Sequence, residues 1–242
     1  MRRALSFLTV LGRAAVPDEH TLTWFPLVGV VVGFLVGGVW WAAGRVWPPA
    51  VAALVAVAVD AAVTGFLHLD GLADSVDGLV PPVTRARRLE IMADPRVGAF
   101  GAVALVLVLG LRVAALASTP AKVLVVAALW CGSRTLMATV ARSQPYAHAE
   151  GGTASAFGPK GPARSHHALA GYGVTLYGLA LAAGLAVLGA GARGIVVLAA
   201  EVGAVVVVVA FARRRLGGYT GDVLGACGVL GETIGLLALV AR

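Results

Sequence analysis

Apolar residues run in long blocks separated by short polar breaks. The blocks lie at roughly 24–44, 50–69, 98–117, 121–141, 168–190, 194–212 and 223–241. Each comes close to the ~20 residues an α-helix needs to cross the hydrocarbon core of a bilayer. The pattern predicts an all-α fold: a polytopic integral membrane helical bundle of about seven transmembrane helices plus short interfacial helices. Met1 to Gly12 is too short to span. With Arg13 after it and no small-residue cleavage pattern, it reads as an interfacial amphipathic helix rather than a signal peptide.

Composition sharpens this. Of 242 residues, 59% are hydrophobic and 13% charged, against about 25% charged in soluble domains. No linker or internal repeat divides the chain, so one membrane-embedded domain, 1–242, is expected. With the N-terminus cytoplasmic, that side holds Arg2, Arg3, Arg13, Arg85, Arg87, Arg88, Arg96, Arg142, Lys160, Arg164 and Arg213 to Arg215, which is 13 of the 19 basic residues. The other side holds Arg45, Lys122, Arg193 and Arg242. This bias follows the positive-inside rule and supports an odd number of crossings. It also accounts for the net charge of +7 through orientation and anionic lipid, with no nucleic acid as partner. Cys131 and Cys227 fall in apolar blocks and read as small buried hydrophobes.

Three longer polar segments, at about 70–97, 142–167 and 213–222, share the cytoplasmic side in this topology. In the first, Asp70 to Gly78 reads as a continuation of the second span beyond the membrane. Pro81-Pro82 ends it, Thr84 caps a new helix from Arg85 to about Asp94, and Pro95 closes that one. The second is rich in Gly, Ser, Pro and Ala from Gly151 to Arg164 and reads as a flexible loop. It opens on Tyr146 and His148, and its Lys160 and Arg164 suit either an anionic substrate or lipid. The third is a compact basic turn.

The candidate chemistry is acidic. Asp70, Asp74 and Asp77 stand at i, i+4 and i+7, which places them within an arc of roughly 60° on a helix. No basic residue lies among them. Three crowded acids beside a membrane make sense mainly around a cation, and Mg²⁺ is the natural one because carboxylate oxygen is its preferred ligand. Glu90 and Asp94 form a second i, i+4 pair that either completes a metal shell or pairs with nearby arginines on a solvated helix. Arg88 and Arg96 suit phosphate oxygens. Gly217, Gly218, Gly221 and Thr220 suit a backbone phosphate contact, with Asp222 as a helix cap or a further ligand. His68 is a substrate contact or a structural residue. Asp60, Glu201 and Glu232 lie within spans, where Arg112 and Arg134 are available to form structural ion pairs.

The chain resembles the cobalamin synthases, the adenosylcobinamide-GDP ribazoletransferases. The resemblance rests on Phe25-Pro26-Leu27-Val28-Gly29, on Thr64-Gly65 and His68-Leu69-Asp70-Gly71-Leu72-Ala73-Asp74 with Asp77-Gly78, and on Arg88-Leu89-Glu90-Ile91-Met92-Ala93-Asp94 with Arg96, Gly98 and Gly101. Ser133-Arg134, Tyr146-Ala147 and Gly217-Gly218 through Thr220-Gly221-Asp222 to Leu224-Gly225-Ala226 continue it. It implies a Mg²⁺-dependent enzyme of the bacterial cytoplasmic (inner) membrane with its active site on the cytoplasmic face. Such an enzyme joins adenosylcobinamide-GDP to α-ribazole or its 5′-phosphate and releases GMP. On that reading Asp70, Asp74, Asp77, Glu90 and Asp94 are the metal ligands, with Asp77 or Asp94 as the base. Substrate contacts fall to His68, Arg88, Arg96, Arg134, Gly218, Thr220 and Asp222. His148, Val229 and Phe66 depart from the residues common in the family at those positions. The departure at Phe66, where a second glycine is common, is expected to tighten helix packing. Assembly with further copies of the chain is left open.

Two rivals remain. A CDP-alcohol phosphotransferase also uses spaced aspartates and glycine, but Asp74 stands where its arginine would be. A cation transporter would use Asp60, Glu201 and Glu232 as an ion path.

Overall fold

The computed structural model describes residues 1–12, 16–18, 20–147, 157 and 164–242, without the side chains of 164–171. Among the described residues the regular structure is helical. The helices are α1 (Arg2–Leu8), α2 (Phe25–Ala43), α3 (Pro49–Val63), α4 (Leu67–Leu79), α5 (Arg85–Met92), α6 (Ala99–Ala117), α7 (Val123–Ser143), α8 (Arg164–Ala190), α9 (Ala192–Leu216) and α10 (Gly221–Val240). A 3-10 turn, Thr21–Trp24, leads into α2. Helices α2, α6, α7, α8, α9 and α10 are each long and apolar enough to cross a membrane, and α3 with α4 forms a seventh, broken unit. The chain is therefore a multi-pass membrane bundle, as its hydropathy predicts.

Helix α7 is the core. It packs on α2 and α8 and also touches α9 and α10. Its fit to α2 depends on a glycine stripe: a Cβ at Gly29 would stand 2.3 Å from the Trp130 carbonyl oxygen, and one at Gly33 2.6 Å from the Ala127 Cα. Small residues at fourfold spacing let two helix backbones approach in this way, and dispersion between them then holds the pair.

The second span departs from the expected continuous helix. It stops at Val63, and α4 leaves at 88° to α3. The elbow needs two left-handed residues, Gly65 at φ +61° and Phe66 at φ +59°. Glycine adopts this at no steric cost, whereas Phe66 bears a strain of about 1–2 kcal/mol. Phe66 is exposed, so it strains the elbow rather than tightening helix packing. Hydropathy does not register such a turn, because it falls inside the largely apolar block at 50–69.

Helix α4, too short to cross by itself, lies across one end of the bundle, packed on α10 and α6. A Cβ at Gly71 would meet the Asp222 backbone at 2.9 Å, and one at Gly225 would meet His68 at 3.2 Å. The acidic helix therefore rests directly on the first turns of α10. Thr84 caps α5 as expected, its Oγ1 accepting from the Arg87 N–H. At the N-terminus, α1 is shorter than the predicted 1–12 and buries Ala4 and Leu8.

Candidate active site

Asp70 and Asp74 stand one turn apart on α4, with Asp222 arriving from the first turn of α10. Asp70 is exposed, Asp74 half-buried and Asp77 buried. Burial, then Asp70, Asp222 and Asp77 in that order, pushes the Asp74 carboxyl up to about 7. Burial and like charge thus act on Asp74 in the same direction, which makes it the strained carboxyl of the cluster. Asp70 also closes one end of an apolar groove of about 830 Å³ that runs between α3 and α6 from Ala50 and Ala117 to Val97.

Asp77, expected beside these two as a ligand or base, turns away from them. Its Oδ2 accepts from the Gly98 N–H at 2.7 Å and its Oδ1 from the Gly101 N–H at 2.9 Å. The stripe is thus divided: two carboxylates face the α10 terminus, and the third holds the start of α6.

The second acidic pair is engaged with arginine. Glu90 accepts from Arg87 at 2.9 Å on an exposed surface. Asp94 accepts from both Nε and Nη2 of Arg96, at 3.0 and 2.7 Å, and these bonds hold its carboxyl down at about 2. Of the two alternatives for α5, the structure shows the solvated ion pairs. Arg88, expected at phosphate, is buried and donates to the carbonyls of Gly78 and Leu79 at 2.8 and 2.7 Å, closing the end of α4.

His68 is buried against α10, and neither of its ring nitrogens has a hydrogen-bond partner among the described residues. It lies beneath the acidic surface and not on it. The third polar segment is ordered by backbone contacts. Tyr219 N–H donates to Pro145 and Ala147 N–H to Tyr219, at 3.0 and 2.8 Å. Arg85 bridges the carbonyls of Leu216 and Ala147. Gly218 presses on Pro145, whose oxygen a Cβ would meet at 2.1 Å. Thr220, not Asp222, caps α10: its Oγ1 accepts from the Val223 N–H at 3.2 Å and donates to Asp222 at 3.2 Å. Asp222 therefore sits in the first turn, where the helix dipole favours negative charge. His148 and Lys160, and the side chain of Arg164, lie outside the described residues.

Arg134 is deep in the bundle. It pairs with Glu232, which also accepts from Arg112 at 2.6 Å and from Ser133 at 2.7 Å. Arg112 reaches on to Asp60 at 2.9 Å, and Trp130 Nε1 donates to the other Asp60 oxygen at 2.7 Å. Of the three intramembrane acids, Asp60 and Glu232 form the expected ion pairs, with Glu232 as the hub. Glu201 takes no part: it is fully buried and its carboxylate has no hydrogen-bond partner among the described residues. Sequence reasoning did not reach the use of Gly98 and Gly101 as donors to Asp77. The spacing of those two glycines, three residues apart at the start of a span, is the one signal that could have shown it.

This arrangement of acids, glycines and buried ion pairs lies within a chain that residues 1–240 match to a single family, described as cobalamin-5-phosphate synthase. The chain belongs to that family. Among its relatives, a protein of Bradyrhizobium diazoefficiens is 38% identical over all of this chain and 93% of its own length. One of Chlorobaculum tepidum is 38% identical over 95% of this chain and 89% of its own. One of Rhizobium etli is 40% identical over 89% and 83%. All three are named adenosylcobinamide-GDP ribazoletransferases. No solved structure matches. Membership of the cobalamin-5-phosphate synthase family makes the chain a transferase.

Proposed function

We propose that the chain joins adenosylcobinamide-GDP to α-ribazole or α-ribazole 5′-phosphate, forming adenosylcobalamin or its 5′-phosphate and releasing GMP. The observation that carries this reading is the crowding of Asp70 and Asp74 on α4 with Asp222 of α10, which raises the Asp74 carboxyl, in a chain that matches this family over residues 1–240. The excess of basic residues on that side supports its placement at the cytoplasmic face of the bacterial inner membrane.

Mg²⁺ fits these residues in one specific way. Among the described residues no three His, Cys, Asp or Glu side chains converge as a metal cage. Mg²⁺ does not ask for one, since it is commonly held by one or two carboxylates together with substrate phosphates. Asp70 and Asp74 supply two such carboxylates, and Asp222 the nearest third. When bound there, Mg²⁺ would withdraw charge from the diphosphate and favour departure of GMP. The remaining work falls to the chain. The α10 terminus, with Thr220 and Gly218, positions the phosphates near the acids. Arg96, with 85% of its side chain exposed, is the arginine of the predicted set best placed to exchange its carboxylate for a phosphate. The proton of the ribazole hydroxyl passes to one of Asp70, Asp74 or Asp222, since Asp77 and Asp94 commit their oxygens to other donors.

The test is to incubate the purified protein with both substrates and Mg²⁺, then separate nucleotides and corrinoids by chromatography. GMP and a corrinoid carrying the ribazole base, formed in equal amounts, are expected. GMP released without the joined corrinoid would overturn the transfer, and turnover undiminished in a chelator would overturn the role of the metal.

A further inference from the structure

We infer that Asp77 is a positioning residue: it serves as the missing N-cap of α6 and thereby sets where Asp70 and Asp74 stand. The inference rests on the transferase reading above and gives Asp77 a task outside the metal cluster.

The argument starts from a deficiency in α6. The residue at its N-cap is Gly98, which has no side chain and makes no cap of its own. The first N–H groups of a helix need an acceptor, usually a Ser, Thr, Asp or Asn side chain at the N-cap reaching the N–H three residues on. Here the acceptor comes from another helix. Asp77 takes the N–H of Gly98 with one oxygen and that of Gly101, three residues on, with the other. Both distances are below 3 Å, and the residue is 7% exposed. Two bonds use both oxygens, and the negative charge sits where the helix dipole favours it.

The two glycines are required for this. A Cβ at Gly98 would lie 2.4 Å from Oδ1 of Asp77, and one at Gly101 2.4 Å from Oδ2. Each backbone position is bare so that the carboxylate can reach it. Helix α4 is consequently pinned at two places: at Gly71 and His68 against α10, and at Asp77 against α6. Asp74 lies between the pins, one turn from each. Rotation of α4 about its own axis, which would carry Asp70 and Asp74 away from Asp222, is blocked at both ends.

The experiment compares Asp77→Asn, Gly101→Ala and Asp74→Asn in the full-length protein. It reads amide hydrogen exchange along α6 together with turnover as a function of Mg²⁺ concentration. Asp77→Asn and Gly101→Ala should both lower protection in the first turn of α6 by about tenfold, the scale of a lost cap. Exchange in the first turn of α10 should not change. Both variants should lower kcat while leaving the Mg²⁺ concentration at half-maximal rate within about twofold, whereas Asp74→Asn should raise it by about tenfold or more. Unchanged exchange at the start of α6 in Asp77→Asn would overturn the inference. So would a shift in Mg²⁺ dependence as large as that of Asp74→Asn. If the wild-type protein forms no product, the transferase reading fails on its own, while the exchange comparison still decides the cap.

Discussion

The bundle holds two sets of acids, and they are treated in opposite ways. In the interior, Asp60 and Glu232 are wrapped by Arg112, Arg134, Trp130 and Ser133, so the carboxylates lie close to positive charge or a donor. At the end of the bundle, Asp70 and Asp74 crowd one another and Asp222, and that like charge raises the Asp74 carboxyl. Asp60 and Glu232 are held by these partners, and that pairing leaves little of them for chemistry. The acids at the end raise the free energy of the folded chain by mutual repulsion. Such a conflict is what the proposed function requires, since a bound cation would relieve it. Charge of the same sign thus acts as structure in one place and, on the proposed function, as a ligand site in the other.

The largest test strikes the interior. Glu232→Leu leaves Arg112 and Arg134 buried without their shared acid. It should destabilise the protein by about 3–5 kcal/mol, the cost of breaking a buried pair from one side, read as denaturant unfolding in detergent. A loss below 1 kcal/mol would erase the contrast between the two regions. Next in size, Asp74→Asn should lower turnover on the order of 10²-fold, as for loss of a group acting at the reacting centre, while stability holds or rises because repulsion is removed. A variant that loses activity only by unfolding would make Asp74 another structural acid. Gly71→Ala should be smaller, at about 1–3 kcal/mol for an overpacked contact, because its Cβ would press on the Asp222 backbone. Its activity should fall further than its stability accounts for, since the two halves of the acidic cluster are pushed apart.

The last test concerns pH. The Asp74 carboxyl is raised from 3.8 to about 7 in the fold. Between those values the folded chain holds a proton that the unfolded chain has released, so the contribution of Asp74 to stability is fully present below pH 3.8 and is lost as pH rises toward 7. In chelator, the unfolding midpoint should therefore drop across this window. Asp74→Asn should flatten the decline, and added Mg²⁺ should restore stability at the upper end. A midpoint that rises with pH, or that ignores Mg²⁺, would mean that Asp74 is not strained by its acidic neighbours.

The spans, the acidic stripe and the presence of intramembrane pairs were legible in the sequence, because hydropathy and residue spacing follow from helix geometry. Other features were hidden for identifiable reasons. The elbow at Gly65-Phe66 falls inside the predicted apolar block at 50–69, so hydropathy does not mark it. Asp77 looks like its neighbours until its partners are seen, and those are backbone N–H groups 21 and 24 residues away. Arg88 looks like a phosphate binder, yet it serves carbonyls that carry no side-chain signature. Nothing in composition shows that Glu232 rather than Glu201 faces the arginines, because that depends on how α9 and α10 are rotated. The basic run Arg213 to Arg215 suggested an early end to the sixth block, whereas α9 carries it as its last turn, where cations suit the helix terminus.

The interior ion network also bears on how the chain is made. Asp60 lies 52 residues ahead of Arg112, and Arg112 lies 120 ahead of Glu232. As the helices emerge in order, α3 brings its acid to the bilayer before α6 exists, at a cost of up to about 3 kcal/mol for a lone charge in a nascent span. Arg112 then neutralises it, and both arginines wait for the hub on the last helix. The core of this enzyme is completed only when α10 is inserted, and an intermediate that lacks α10 holds Arg134 in the membrane without its acid Glu232.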